Sequence, residues 1–162
     1  MEAEKDRLEK ATDLWHEGYR AHLQGELSSA MHLYQESIQL HPTAEAFTFL
    51  GWAYSSLKRY EQAIEACKDA IAIDPEFGNP YNDIGSYLTQ LNRLDEAIPW
   101  LEHALRTKRY EPRHFPHINL GRIYWRKGDL LKAVSEFGKA IEIEPRHRFA
   151  RLAFATLSAQ LN

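Results

Sequence analysis

The sequence contains a single cysteine, Cys67, so the chain forms no internal disulfide. It has no apolar run near the ~18 residues that a membrane-spanning helix needs. The chain opens on charged residues, so we expect no secretory signal and a cytoplasmic location. A mature secreted or periplasmic form, from which a signal has been removed, stays open. Any fold must therefore come from packing of the hydrophobic residues, which are 44% of the chain.

Motifs of catalysis and metal binding are missing as well. No glycine-rich phosphate loop, nucleophile elbow or HExxH motif occurs. The eight histidines are scattered, and their one close pair, His114 and His117, is interrupted by a proline. That pair has no cysteine or carboxylate at ligand spacing, which a zinc site would need. We therefore expect no catalytic residue, no cofactor and no metal site, in a protein that is not an enzyme.

An internal repeat dominates what is present. In each copy a glycine is followed twelve residues later by an alanine, in the pairs Gly18 and Ala30, Gly51 and Ala63, Gly85 and Ala97, and Gly121 and Ala133. Successive alanines lie 33, 34 and 36 residues apart. Apolar residues before each glycine recur at the spacing of an amphipathic helix. Periods in this range are typical of stacked helical hairpins.

The residues around these anchors recur in register. The second copy carries Phe47, Leu50, Gly51, Tyr54, Ala63, Cys67, Ala70 and Pro75, and the fourth carries His117, Leu120, Gly121, Tyr124, Ala133, Phe137, Ala140 and Pro145. The pattern resembles the tetratricopeptide repeat (TPR) family over roughly residues 11–145. The resemblance implies an all-α fold, a right-handed α-solenoid of about nine helices in one domain, 1–162. Its repeats would lie at approximately 11–43, 44–77, 78–113 and 114–147, with a capping helix at 147–161.

The pattern predicts where each helix begins and ends. The first helix is expected to reach about residue 23, and the others to span 27–40, 44–57, 60–73, 78–91, 94–108, 115–127, 130–143 and 147–161. The helix at 94–108 is expected to run longer than its counterparts, because two residues are inserted before the following repeat. The capping helix is expected to cover the open end of repeat four with Phe149, Leu152, Phe154 and Leu157. Cys67 is expected to be a buried, inert thiol.

The concave face is where the family binds its partners, and in the TPR fold the first helix of each pair lines it. Carried onto this sequence, the resemblance implies a peptide-binding groove lined by Trp15, Tyr19, Thr48, Phe49, Trp52, Asn79, Asn82, Asp83, Ser86, Asn119, Arg122, Trp125 and Arg126. The groove is aromatic at its N-terminal end, rich in amides and hydroxyls in the middle, and cationic at its C-terminal end. Aromatics would contact apolar ligand residues, and asparagines would hold ligand main chain.

Each group of groove residues also has a plainer interpretation. The aromatics could pack between adjacent first helices, although the core positions beside them are already occupied. The asparagines could belong to an ordinary solvated face. Arg122 and Arg126 lie one turn apart and could form a carboxylate-binding fork, or they could be ordinary surface charges.

One subtype of the family can be tested on the residues themselves. TPR cochaperones that bind the C-terminal carboxylate of chaperones use a clamp of lysine, arginine and asparagine. The matching positions here are occupied by Trp15, Tyr19, Phe49, Asn79 and Asp83, none of which is basic. We predict that the chain does not belong to this carboxylate-clamp subtype.

Charge is distributed unevenly along the chain. Residues 1–105 contain 8 Lys+Arg against 18 Asp+Glu, and residues 106–162 contain 12 against 5. The leading hypothesis is a non-enzymatic protein–protein interaction module that binds an extended segment, apolar with acidic groups, of another protein. The alternative is a self-assembling scaffold, a homo-oligomer with head-to-tail contacts between its acidic N-terminal and basic C-terminal ends. Nucleic acid is disfavoured by the acidic remainder of the chain.

Overall fold

The computed structural model describes residues 2–161. These residues form nine α-helices: α1 (Glu2–Leu23), α2 (Leu27–Leu40), α3 (Ala44–Ser56), α4 (Tyr60–Ile73), α5 (Asn79–Gln90), α6 (Leu94–Arg106), α7 (His114–Arg126), α8 (Leu130–Ile143) and α9 (Arg148–Gln160). Every predicted helix is present, with bounds within two residues of those expected. Within residues 2–161, none of the helices combines the length and the hydropathy of a membrane span.

Consecutive helices pack as hairpins, and the hairpins stack. α1 packs on α2, α3 on α4, α5 on α6 and α7 on α8, and weaker contacts join α1 to α3, α3 to α5 and α5 to α7. The architecture is therefore the expected all-α helical solenoid. Helices α1, α3, α5 and α7 lie side by side, so that their outward residues form one continuous surface.

The turn inside each hairpin repeats the same backbone conformation. Gly25, Lys58, Asn92 and Gly128 have φ values of 81°, 59°, 61° and 77°, each seven residues after the glycine that marks its repeat. The left-handed region favours glycine and tolerates asparagine, whereas a lysine there is unusual. The repeat thus fixes the turn geometry even where its sequence varies.

Each marker glycine makes room for a large side chain sixteen residues later. A Cβ atom at Gly18 would lie 2.7 Å from Tyr34, and one at Gly121 would lie 2.8 Å from Phe137. Both of these aromatic side chains are fully buried. In repeat two the same place is occupied by Cys67, which is buried as predicted, and burial raises the pKa of its thiol. Close packing across the hairpin therefore explains why the glycine recurs.

Replacing Gly85 with alanine is expected to lower the free energy of unfolding by about 1 kcal/mol. The new Cβ would lie 2.5 Å from Leu101 Cγ, so Leu101 must move at a cost of about 1–3 kcal/mol. The better helix propensity of alanine offsets about 1 kcal/mol of that cost. In a Leu101→Ala background the same substitution is expected to be stabilising. Denaturant unfolding of the four proteins measures the coupling, and additive effects would show that this contact is unimportant.

The segment between α6 and α7 differs from the prediction. α6 ends at Arg106, so the inserted residues do not lengthen it. Residues 107–113 fold back over the turn between α4 and α5, where Arg109 forms an isolated parallel bridge with Phe77. Arg113 holds the end of α6, because its guanidinium donates to the carbonyls of Leu105 and Thr107 at 2.9 and 2.8 Å. These hydrogen bonds from Arg113, which lies outside α6, thus stabilise a C-terminal end at Arg106, two residues before the predicted one.

The last helix packs on the fourth hairpin as expected of a cap, with part of the predicted face. Ala150, Ala153 and Leu157 are buried against α8. Leu152, expected to cover the core, is 66% exposed, whereas Phe154 is 37% exposed and lies beside Gly138 of α8. Leu157 and the small Ala150 and Ala153 thus form the close contact with α8, Phe149 packs partly buried beside them, and Leu152 lies outside the contact.

Candidate functional site

A concavity opens on the surface formed by the first helices of all four hairpins. We call it the central groove; it has a volume of about 660 Å³ and is lined by Tyr19, Thr48, Phe49, Trp52, Asn79, Asp83 and Phe115. Six of these seven were predicted from the sequence. The seventh, Phe115, lies one turn before Asn119 on α7, on the face that the resemblance assigns to the groove. Tyr19 and Phe115 are 37% and 42% exposed.

The aromatic residues of the groove both pack together and reach solvent. The ring of Phe49 lies 5.4 Å from Tyr19 and 5.9 Å from Trp52, in edge-to-face geometry. Trp52 also stacks at 3.6 Å on His22, which is buried and whose pKa burial lowers. These rings therefore join α1 to α3 and also leave an apolar wall exposed on the groove side.

Two of the predicted groove residues, Trp15 and Thr48, are less accessible to a ligand than the others. Trp15 packs edge-to-face on Phe49 at 5.2 Å outside the central groove, and its buried indole N–H has no hydrogen-bond partner in residues 2–161. Thr48 lines the groove but is buried, with its hydroxyl donating to the carbonyl of Ala44 at 2.7 Å. Both side chains are held by α3.

A chain of polar contacts connects α7 to α5 beside the groove. The Asn119 amide donates to Asn82 Oδ1 at 3.0 Å, and the Asn82 amide donates to Asp83 Oδ1 at 3.4 Å. Burial raises the pKa of Asp83 to about 7, although the contact from Asn82 acts in the opposite direction. Asn79 and Ser86 are half-buried on the same helix, α5. Three of the predicted middle residues, Asn82, Asp83 and Asn119, thus form one polar chain between α5 and α7.

The predicted cationic end forms a second, smaller concavity. We call it the C-terminal pocket; its volume is about 300 Å³ and its lining is Thr89, Gln90, Arg122, Trp125, Arg126 and Phe149. The Arg122 guanidinium lies 4.4 Å above the Phe149 ring, and no carboxylate in the described part of the chain pairs with it. Partial burial lowers the pKa of Arg122, which keeps its charge at neutral pH.

Arg126 does not form the expected fork with Arg122. Its guanidinium donates to the carbonyl of Thr89 at 3.0 Å and to Asn92 Oδ1 at 2.8 Å, where it holds the end of α5. The sequence could not indicate these partners, which lie 37 and 34 residues away. Arg122 is therefore the arginine of this pair left to meet an external acidic group.

Two basic residues of the C-terminal half bind acidic residues of earlier repeats. Arg109 pairs with Glu45 at 2.7 Å and Asp74 at 2.6 Å, and Lys127 pairs with Asp95. Side-chain exposure of these groups makes each pair weak. Part of the opposed charge in the sequence is thus matched between adjacent hairpins.

The two close histidines face different neighbours. His117 lies 2.6 Å from Glu136 through Nδ1, on the far side of α7 from Asn119, whereas His114 is buried with its ring 5.3 Å from that of His147. The described residues contain no group of three His, Cys, Asp or Glu side chains that could hold a metal.

Family models and curated proteins match the repeats of this chain. Models of the tetratricopeptide repeat match residues 44–77, 81–109 and 114–147, together more than half of the chain. The small glutamine-rich tetratricopeptide repeat-containing protein 2 of Mycosarcoma maydis is 33% identical over 92 residues, which are 56% of this chain and 26% of that protein. The chain spans about a quarter of the length of the first curated relatives that it matches.

Solved structures share the fold over almost the whole chain. One from the functional characterization of Pseudomonas aeruginosa pilF has a TM-score of 0.90 at 21% identity, covering 96% of this chain and 70% of its own. YrrB, described as a TPR protein with an unusual peptide-binding site, has a TM-score of 0.69 at 22% identity, covering 98% and 81%. With three matching repeat models and the stacked hairpins above, the chain belongs to the tetratricopeptide repeat family.

Proposed function

We propose that this chain binds an extended segment of another protein along the surface of α1, α3, α5 and α7. The family is a protein-interaction repeat domain, generally non-enzymatic, and the chain is a protein-interaction module of that kind.

The observation that carries the proposal is the pairing of two open concavities on one helix. Phe115 borders the central groove and Arg122 borders the C-terminal pocket. They lie seven residues apart on α7, which places them on the same face about 10 Å apart along the axis. An extended peptide advances about 3.3 Å per residue, so side chains about three positions apart could occupy both.

The side chains between these two positions suit a peptide backbone. The amide nitrogens of Asn119 and Asn82 are engaged along the polar chain, but Asn119 Oδ1 has no partner within residues 2–161. It can accept a main-chain N–H without reading the ligand's sequence. Apolar ligand atoms would then cover Tyr19, Phe49 and Trp52, and an acidic group would meet Arg122. YrrB, a protein of similar fold, is described as having an unusual peptide-binding site, which agrees with the use of this surface for a peptide.

Groove variants are expected to lose affinity for peptides selected on the intact protein. A random-peptide library would be selected by display, and the enriched peptides measured by titration calorimetry. Phe115→Ala and Arg122→Gln are each expected to weaken binding about tenfold, because each removes an exposed contact of one concavity. Both residues are surface residues, so thermal unfolding should be nearly unchanged.

Matched controls separate the groove from the rest of the surface. Leu131, 72% exposed on α8, and Arg151, exposed on α9, line neither concavity. Leu131→Ala and Arg151→Gln are therefore expected to leave affinity within about twofold. If the controls weakened binding and the groove variants did not, the partner would lie on another face and the proposal would be wrong.

A further inference from the structure

Asp83 is a carboxylate without a counter-charge in the central groove. Its hydrogen bond is the 3.4 Å contact from Asn82, and no lysine, arginine or histidine in residues 2–161 pairs with it. It is the one charged side chain among the seven described residues that line the groove. A carboxylate so placed is poorly compensated, because desolvation without a partner is unfavourable.

The other lining residues suit a cation. Tyr19, Phe49, Trp52 and Phe115 surround the concavity with aromatic rings. The face of such a ring attracts a cation, and its hydrocarbon packs well against the methylene stem of a long basic side chain. An acidic ligand group would be repelled by Asp83, and a purely apolar one would leave the carboxylate without water or counter-ion.

We propose that the central groove takes a lysine or arginine side chain of the bound segment, with its charged end at Asp83 and its stem against Tyr19, Phe49 and Trp52. This rests on the proposed function and specifies the partner's chemistry. The segment then carries both charges, a basic one for Asp83 in the central groove and an acidic one for Arg122 in the C-terminal pocket.

The neighbouring charges agree with this assignment. Glu45 and Asp74, the acidic groups at the nearby edge, are neutralised by Arg109. His22 lies behind Trp52, and burial lowers its pKa, so it contributes no positive charge at neutral pH. The charge that a ligand meets inside the groove is therefore that of Asp83.

The test uses the peptides selected on the intact protein. They are expected to share a lysine or arginine, and Asp83→Asn is expected to weaken their binding at least tenfold. Exchanging the shared lysine for norleucine, or the arginine for citrulline, is expected to cost a similar factor. Combining the protein and peptide changes should add little further loss, because both remove one interaction. Asp69→Asn, an exposed carboxylate on α4 outside this groove, is the control and should change affinity less than twofold.

Three outcomes of this experiment separate the inference about Asp83 from the proposed function. Shared basic residues with the coupled losses support the inference. Peptides that are weakened by Phe115→Ala but carry no shared basic residue, or that bind Asp83→Asn as tightly as wild type, overturn it and leave the proposed function standing. Failure to enrich any peptide, or peptides indifferent to both Phe115→Ala and Arg122→Gln, overturns the proposed function and this inference together.

Discussion

Replacing Gly78 with alanine is expected to destabilise the protein by about 3 kcal/mol. The backbone of Gly78 has φ −79° and ψ −23°, which alanine adopts without strain, so the cost is steric. A Cβ there would overlap Thr107 Oγ1 and the Cβ of Tyr110, and would lie 2.6 Å from Tyr110 Cγ. Tyr110 is buried, and the Gly78 N–H donates to the carbonyl of Arg109 at 2.9 Å, so the segment cannot move away freely. Overpacking of this kind typically costs 1–3 kcal/mol and occasionally more.

Gly138→Ala is the matched control for this experiment. Gly138 lies inside α8, and a Cβ there would lie 3.4 Å from Phe154, an ordinary contact. Alanine within a helix is expected to stabilise by about 0.5–1 kcal/mol. Guanidinium unfolding of both variants gives opposite signs if the geometry is right. A loss below about 1 kcal/mol for Gly78→Ala would mean that residues 107–113 do not rest on this glycine.

Asp83→Asn is expected to stabilise the protein, and the gain should depend on pH. Burial raises the pKa of Asp83 to about 7 in the folded state, whereas an unfolded aspartate has a pKa of about 3.9. The folded state therefore binds more protons between these values. The contribution of Asp83 to the free energy of unfolding is therefore complete below about pH 4 and is lost as the pH rises to about 7. At 1.36 kcal/mol per pKa unit, the loss is at most about 4 kcal/mol.

The measurement is the difference in unfolding free energy between Asp83→Asn and wild type from pH 4 to 8. Other titrating groups, including His22, are common to both proteins and largely cancel. The difference should rise through this range and level off above about pH 7. Asp69→Asn should give a nearly flat difference. A flat profile for Asp83→Asn would show that its carboxylate is well solvated, which would also weaken the case for a cation-seeking groove.

The helices could be predicted because the repeat supplies its own markers. Glycine and alanine at fixed offsets locate each hairpin, and prolines such as Pro42 and Pro75 mark where second helices end. The insertion before α7 could not be placed the same way. Whether added residues lengthen α6 or fold back depends on Arg113 reaching the carbonyls of α6, and on the missing side chain at Gly78, which lets Thr107 and Tyr110 pack against it. Neither fact is local in sequence.

The candidate site was predictable as a surface but not as a set of interactions. Helical periodicity and the family resemblance place Tyr19, Phe49, Trp52 and Asp83 on facing helices, and these residues do line one concavity. The partners that decide availability lie more than thirty residues away, as with Arg126 and the end of α5. Such pairing depends on the offset between hairpins, which no single repeat encodes.

Because residues 107–113 fold back, the hairpins of the solenoid are not all connected in the same way. Other neighbouring hairpins meet across helix faces, but here a strand-like tether crosses from the approach to α7 to the α4–α5 turn, and Arg109 reaches on to Glu45 in α3. Peeling α7, α8 and α9 away from the stack must therefore disturb the second hairpin as well as the third. The approach to α7 is thus tied through Arg109 to Glu45 of α3 and to Asp74, both of which precede α5 and α6.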